Sequence, residues 1–208
     1  PMESAWRDSR IARIYEGTNE INRLVTIGML IKKGMKGELD LMQKAEEVAN
    51  ELTEIPSFDV PDFEDLFDEE KYVLNNLKKV FLMLSGAGLK KYGMDLENHQ
   101  EVLLSISDIL IEIYMSESAI LRTEKNCKRY GADNYHAQIA ISKLYLFEAC
   151  EMIISKSREL IFSLSEGSEQ KFLLMGLKRF TKYYNYPKPI ELKRTIAKIV
   201  GEENRYNL

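Results

Sequence analysis

Residues 98–130 read NHQEVLLSISDILIEIYMSESAILRTEKNCKRY. Val102, Ile106, Ile109 and Ile113 recur at steps of four, three and four, which stacks them on one face of a helix. No Pro or Gly interrupts the stretch, and Gly131 follows it. At 1.5 Å rise per residue, roughly 33 helical residues span about 50 Å. The pattern resumes after Asp133 with Leu146, Cys150, Ile153, Leu160, Ile161 and Leu164, before Gly167. The prolines are Pro1, Pro56, Pro61, Pro187 and Pro189, so none breaks a helix between 61 and 187. Alternating strand patterns with turn signals are absent. The reading is all-α: a long antiparallel helical bundle, with helices near 19–36, 38–54, 65–91, 98–130, 133–165, 168–184 and 189–201. A two-residue turn joins the longest pair. Expected caps are Asn98 with Glu101 as a capping box, then Asp133 and Ser168, with Pro189 at the first position of the last helix.

The chain has 208 residues, 45% of them hydrophobic and 30% charged, which excludes wholesale disorder. A net charge of -4 and a pI of about 5.5 argue against non-specific nucleic-acid binding. No uncharged apolar run approaches the length of a membrane span, and the segment 1–14 is too charged for a signal peptide. Two cysteines, Cys127 and Cys150, are too few for a disulfide framework and fit a reducing compartment. The chain opens on Pro1, which implies a processed end, an expression boundary or a proteolytic cut, and so a piece of something larger.

From Ala45 to Glu70 there is no Lys or Arg, while Glu46, Glu47, Glu51, Glu54, Asp59, Asp62, Glu64, Asp65, Asp68, Glu69 and Glu70 accumulate. Pro56 and Pro61 stand among Phe58, Phe63 and Phe67. This is an acidic connector near 45–70, either docked on the bundle by its aromatics or mobile.

The chemistry is concentrated earlier, in Trp6-Arg7-Asp8-Ser9-Arg10-Ile11-Ala12-Arg13-Ile14-Tyr15-Glu16-Gly17-Thr18-Asn19-Glu20-Ile21-Asn22-Arg23-Leu24. A charged lead-in, extended or helical, reaches Glu16. Gly17 permits a sharp turn or a close backbone approach. Thr18 or Asn19 can cap a helix starting near Glu20, which leaves Glu16 at a helix N-terminus able to receive polar or anionic groups. By pattern alone Glu16 is an ordinary surface acid, since a reactive carboxyl needs a cleft.

The run from Arg7 to Arg23 resembles the C-terminal signature of acyl-CoA dehydrogenases. The length that follows is similar to the extra helical domain of their very-long-chain type, and a bacterial member is implied. That resemblance divides the chain into 1–37, the end of the dehydrogenase helical domain with the catalytic motif, and 38–208, an appended all-α domain. It makes Glu16 the catalytic base that removes an α-proton from a fatty acyl-CoA. The β-hydrogen leaves as hydride to FAD, giving a trans-2-enoyl-CoA in fatty acid β-oxidation. The same resemblance has the Glu16 backbone N–H polarise the thioester carbonyl. Gly17 matches a substrate-contact position, and Thr18, Asn19 and Glu20 match the stretch along FAD. Tyr15 lines the acyl pocket or simply packs. It further implies electron-transfer flavoprotein as electron acceptor, a homo-oligomer of dimeric type, and an isolated piece that is inactive because most of the flavin site precedes Pro1. The relatives' membrane-associating segment would fall on the acidic connector, whose eleven acids oppose anionic lipid. A cytoplasmic enzyme without stable membrane insertion is therefore expected.

Other features read more plainly. Ser85-Gly86-Ala87-Gly88 lacks a third Gly and a preceding strand, so close helix packing or a kink is preferred over phosphate binding. His99 and His136 fall near helix starts without ligand-spaced partners, so no metal is expected. Cys150 and the scattered Met residues fit the core. The basic aromatic end, with Lys171, Lys178, Arg179, Phe180, Lys182, Tyr183, Tyr184, Tyr186, Lys188, Lys193, Arg194 and Lys198, suits a solvated face that can pair with the acidic connector; a membrane or acidic partner is the alternative. A different class also stays open: a non-catalytic all-α interaction module that keeps a family helix.

Overall fold

The computed structural model describes residues 2–54 and 61–203. Within them lie eight α-helices: α1 (Met2–Ile11), α2 (Asn19–Met35), α3 (Leu41–Thr53), α4 (Asp68–Tyr92), α5 (Gln100–Tyr130), α6 (His136–Leu164), α7 (Gly167–Phe180) and α8 (Pro189–Glu203). No strand occurs among the described residues.

α4, α5 and α6 pack pairwise; α2 leans on α5, α3 and α7 lie along α4, and α8 covers α6. α5 has 31 residues and α6 has 29. Every apolar position of the two quoted periodic runs is buried, with Ile109, Leu146, Ile153 and Ile161 fully enclosed. These residues sit in one continuous core with Val73, Leu77, Val80 and Leu84 of α4 and Leu177 and Phe180 of α7. Full burial of each such side chain contributes about 1.5–3 kcal/mol, so α4–α7 dominate the fold's stability.

Ion pairs tie neighbouring helices together. Lys71 on α4 reaches Glu124 on α5 at 2.6 Å, and Lys78 reaches Glu117 at 2.5 Å. Glu70, itself buried, meets Lys143 of α6 at 2.9 Å. A Cβ on Gly88 would meet Leu96 at 3.6 Å and Ile106 at 3.8 Å, ordinary contact distances, and one on Gly86 would meet nothing within 4 Å. The Ser85–Gly88 run lies inside the uninterrupted helix α4. Cys127 and Cys150 are buried free thiols.

Several caps differ from expectation. Asn98 ends a short 3-10 turn, Gly93–Asn98, and donates from Nδ2 to Asp95 Oδ1 at 2.7 Å, so His99 takes the N-cap place of α5 without a side-chain bond. Asp133 lies in a second such turn, Ala132–Asn134, which lengthens the α5–α6 connection beyond two residues and makes Tyr135 the boundary of α6. Ser168 falls inside α7, whose N-cap place is Glu166. Pro189 does open α8. α7 stops at Phe180, short of 184, because its sequel is taken by other partners. Tyr183 is buried against Phe147, and the Glu69 carboxylate accepts the backbone N–H groups of Tyr184 at 2.7 Å and Asn185 at 2.6 Å.

The acidic connector is docked where it is described. Phe67 is enclosed, and Phe63 joins Tyr72 and Tyr184 in an aromatic cluster. Glu51 meets Lys79 at 2.8 Å, and Arg179 donates to the Glu51 carbonyl at 2.8 Å. Pro56, Phe58 and Asp59 lie outside the described residues. No helix among the described residues is long and apolar enough to cross a membrane.

Candidate active-site segment

The lead-in proves helical. α1 carries no buried residue, and its side chains pair locally, Arg7 with Glu3 and the Arg10 guanidinium 5.0 Å from the Trp6 ring. The chain then tightens: Ile14 N–H bonds Ile11 O at 2.9 Å, and Asn19 N–H reaches back to Arg13 O at 3.2 Å. Within that closed turn Glu16 has φ 55 and Gly17 has φ 95, two successive residues in the left-handed region.

Thr18 is the N-cap of α2, its Oγ1 accepting the Ile21 N–H at 3.3 Å. Asn22 Nδ2 donates to Gly17 O at 2.9 Å, and a Cβ on Gly17 would stand 2.7 Å from Asn22 Oδ1. Gly17 is therefore required both for its backbone angle and for the approach of Asn22. The role of Asn22 is not visible in the sequence, because a bond from residue i+5 back to a loop carbonyl leaves no pattern.

The six sequence-derived positions divide into two groups. Thr18, Asn19 and Glu20 line one open cavity of about 600 Å³ with Trp6, Arg10 and Arg13. The Glu20 carboxyl is held below its ordinary range by its own backbone N–H, then by the Thr18 hydroxyl, with Arg23 and Arg13 adding to it. Tyr15 and Glu16 lie on the exposed outer side of the loop, with Gly17 half-buried beneath them. The guanidiniums of Arg10 and Arg13, the Thr18 hydroxyl and the Asn19 amide give the cavity a donor-rich wall suited to phosphate or hydroxyl groups. Among the described residues, no group of three or more His, Cys, Asp or Glu could hold a metal ion.

Around the loop the surface is unusually apolar. Trp6, Ile11, Ile14 and Tyr15 are each more than half exposed, and so is Met29 on α2, where Ile21 and Val25 are about half exposed. Ile21, Val25 and Met29 follow the i, i+4, i+8 spacing, so one stripe of α2 faces outward while Ile27 faces the core. Exposed apolar side chains gathered in one region are characteristic of an interaction or ligand-binding surface.

The chain is thus an all-α bundle in which a left-handed turn at Glu16 and Gly17 leads into α2, with an open, donor-rich cavity beside it. The model of the acyl-CoA dehydrogenase C-terminal domain matches residues 76–179, and the chain belongs to that family. Over 212 aligned residues it is 35% identical to a "Probable acyl-CoA dehydrogenase" of Bacillus subtilis (strain 168), covering 100% of this chain and 34% of that protein. It is also similar to the crystal structure of an acyl-CoA dehydrogenase complexed with FAD from Bacillus anthracis, with a TM-score of 0.89, 37% identity, and coverage of 99% of this chain and 34% of that one. The chain thus spans about a third of the length of both relatives.

Proposed function

We propose that this chain is the C-terminal part of a flavin-dependent acyl-CoA dehydrogenase and supplies its catalytic base, Glu16. The observation that carries the proposal is the backbone of Glu16. A non-glycine residue in the left-handed region costs about 1–2 kcal/mol. The other described case, Phe67 with φ 78, is offset by complete burial of its ring. Glu16 has no such compensation, since its side chain is exposed. Strain kept without a packing reason is typical of a functional position.

In this reading the exposed apolar face of α1 and α2 is covered by the rest of the enzyme and by the acyl chain. Cover of that kind strips water from Glu16, raises its proton affinity and lets the carboxylate take the α-proton of a fatty acyl-CoA. The Glu16 N–H donates to the thioester carbonyl, Gly17 lets the substrate approach the backbone, and Tyr15 borders the acyl chain. Thr18, Asn19 and Glu20 contact FAD, and the donor set of their cavity suits that dinucleotide. FAD, when bound, would supply the hydride acceptor for the β-hydrogen, and the product would be a trans-2-enoyl-CoA, as in fatty acid β-oxidation. Residues 1–37 then complete the dehydrogenase and 38–208 form the appended helical domain. A cytoplasmic homodimer passing electrons to electron-transfer flavoprotein completes the reading.

The test is Glu16→Gln in the complete polypeptide. Loss of the base with its shape kept should lower dehydrogenation by at least about a hundredfold, with FAD still bound. Turnover near the parent's would remove Glu16 from the mechanism.

A further inference from the structure

We infer that Asp108, on α5, is a positioning residue for the Glu16 loop: through Arg23 and Lys156 it clamps the loop-bearing helix α2 onto the long-helix bundle. The inference rests on the assignment of Glu16 as base and adds to it a role for the appended domain.

Arg23 lies just over one helical turn beyond the Thr18 cap, on the segment that leads out of the loop. Its Nη1 donates to Asp108 Oδ1 at 2.5 Å, and Lys156 on α6 meets Asp108 Oδ2 at 2.8 Å. One carboxylate therefore joins three helices. Among the described residues, Arg23–Asp108 is the one ion pair between α2 and the long helices. The remaining α2 contacts to the core, through Leu24, Ile27, Leu30 and Ile31, are apolar and non-directional. They hold α2 against α5 and restrain it by interdigitation. The Arg23–Asp108 hydrogen bond adds one directional point to that packing, and because Lys156 of α6 takes the other carboxylate oxygen, the acceptor is itself held in place.

All three side chains are largely shielded, with relative exposures of 28% for Arg23, 20% for Asp108 and 31% for Lys156. Burial opposes ionisation of Asp108, but the hydrogen bonds from Lys156 and Arg23 outweigh it and hold its carboxyl below the ordinary range. A polar cavity of about 400 Å³ adjoins the clamp, lined by Arg13, Asn19, Glu20, Asn22, Arg23 and Asp108 among others. The clamp and the base of the loop thus share one wall. Misplacement of a reacting group by about 1 Å can cost on the order of a hundredfold in rate, so a small rotation of α2 is enough to matter.

The experiment compares Asp108→Asn, Asp108→Glu, Lys156→Met and a control, Lys78→Met, in the complete polypeptide. The control removes an α4–α5 ion pair of similar length that has no contact with α2. Hydrogen exchange of the 13–22 backbone reports the loop independently of turnover. Expected results are faster exchange at 13–22 and a kcat lowered about tenfold with KM within about twofold for Asp108→Asn. Lys156→Met should give a smaller loss, Asp108→Glu should recover most of kcat, and the control should leave both readouts unchanged. If Asp108→Asn does not fold, Lys156→Met carries the comparison. Exchange at 13–22 no faster than in the control overturns the clamp whatever the activity. Faster exchange with unchanged kcat overturns its catalytic consequence. Glu16→Gln, run alongside, separates either failure from failure of the base assignment.

Discussion

Ser107 and Ser116 on α5 and Ser157 on α6 are fully enclosed, and their hydroxyls have no hydrogen-bond partner. An unpaired buried hydroxyl costs about 1–3 kcal/mol. Alanine is also the better helix former by roughly 0.5 kcal/mol. Against this stands only the dispersion attraction of one small atom, on the order of a few tenths of a kcal/mol. Ser157→Ala should therefore stabilise the chain by about 1–2 kcal/mol. Ser142 is the internal contrast: it is equally buried, but its Oγ lies 3.0 Å from Thr123 Oγ1. Ser142→Ala leaves the Thr123 hydroxyl unpaired and should cost about 1 kcal/mol after the gain in propensity. The assay is urea unfolding of the 208-residue chain at constant m, where Cm should rise for Ser157→Ala and fall for Ser142→Ala. For a domain of this size the stabilised variant should melt roughly 3–5 °C higher. A lowered Cm for Ser157→Ala, matching that of Ser142→Ala, would refute the reasoning, since it would mean that the Ser157 hydroxyl is paired.

Gly17→Ala, with φ 95 and a contact of 2.7 Å, should loosen the loop and speed exchange at 13–22, whereas Gly28→Ala, which meets nothing within 4 Å, should stabilise α2 by about 1 kcal/mol by thermal melting. Asp108 and Glu124 are both held below their ordinary values of 3.8 and 4.5, Asp108 against burial by Lys156 and Arg23, and Glu124 by Lys128 and Lys71. Each binds fewer protons folded than unfolded near those values, so its contribution is complete above them and is lost as pH falls through the folded pKa; urea titrations from about pH 5 to 3 should show a shallower decline in Asp108→Asn than in the parent. Burial pushes the Cys150 thiol up to about 12, so a thiol reagent at neutral pH should label it only on unfolding. On the proposed reading the isolated chain should purify colourless, since most of the flavin site would lie elsewhere in the polypeptide; a stoichiometric flavin absorbance would contradict that.

The bundle is legible in the sequence because its periodic positions are local: a step of three or four puts a residue on the core face whatever the partner is. The same locality makes Thr18 and Gly17 readable, since a cap and a left-handed turn are built within five residues. The caps expected at Asn98, Asp133 and Ser168 do not form, for a related reason. A short polar side chain bonds the nearest available group, and for Asn98 this is Asp95, inside a 3-10 turn that has no hydrophobic signature. The end of α7 falls earlier than its pattern suggests because Glu69, 115 residues from Tyr184, takes the N–H groups that would have continued the helix. The loop's supports are equally remote: Arg23 finds Asp108 across 85 residues. In the sequence Asp108 shows only as an acid interrupting the apolar run of α5.

The charge asymmetry of the sequence carries more topology than stability. Residues 45–70 hold eleven acids and no base, so any pairing within the fold must come from other segments. Glu51 takes Lys79 of α4 and Arg179 of α7, Glu70 takes Lys143 of α6, and Glu69 takes the backbone after α7. Partly exposed pairs of this kind contribute about 0–1 kcal/mol each, far less than the apolar core. Their effect lies in discrimination. α7 slid by one turn against α3 would draw Arg179 away from Glu51, and it would also bring a side chain to the place where Gly176 now passes Leu52 and Met83, each 2.8 Å from where a Cβ would stand. Close packing and charge pairing together set the helices' register, and at Arg23 apolar packing retains α2 while one carboxylate adds a directional tie beside its loop.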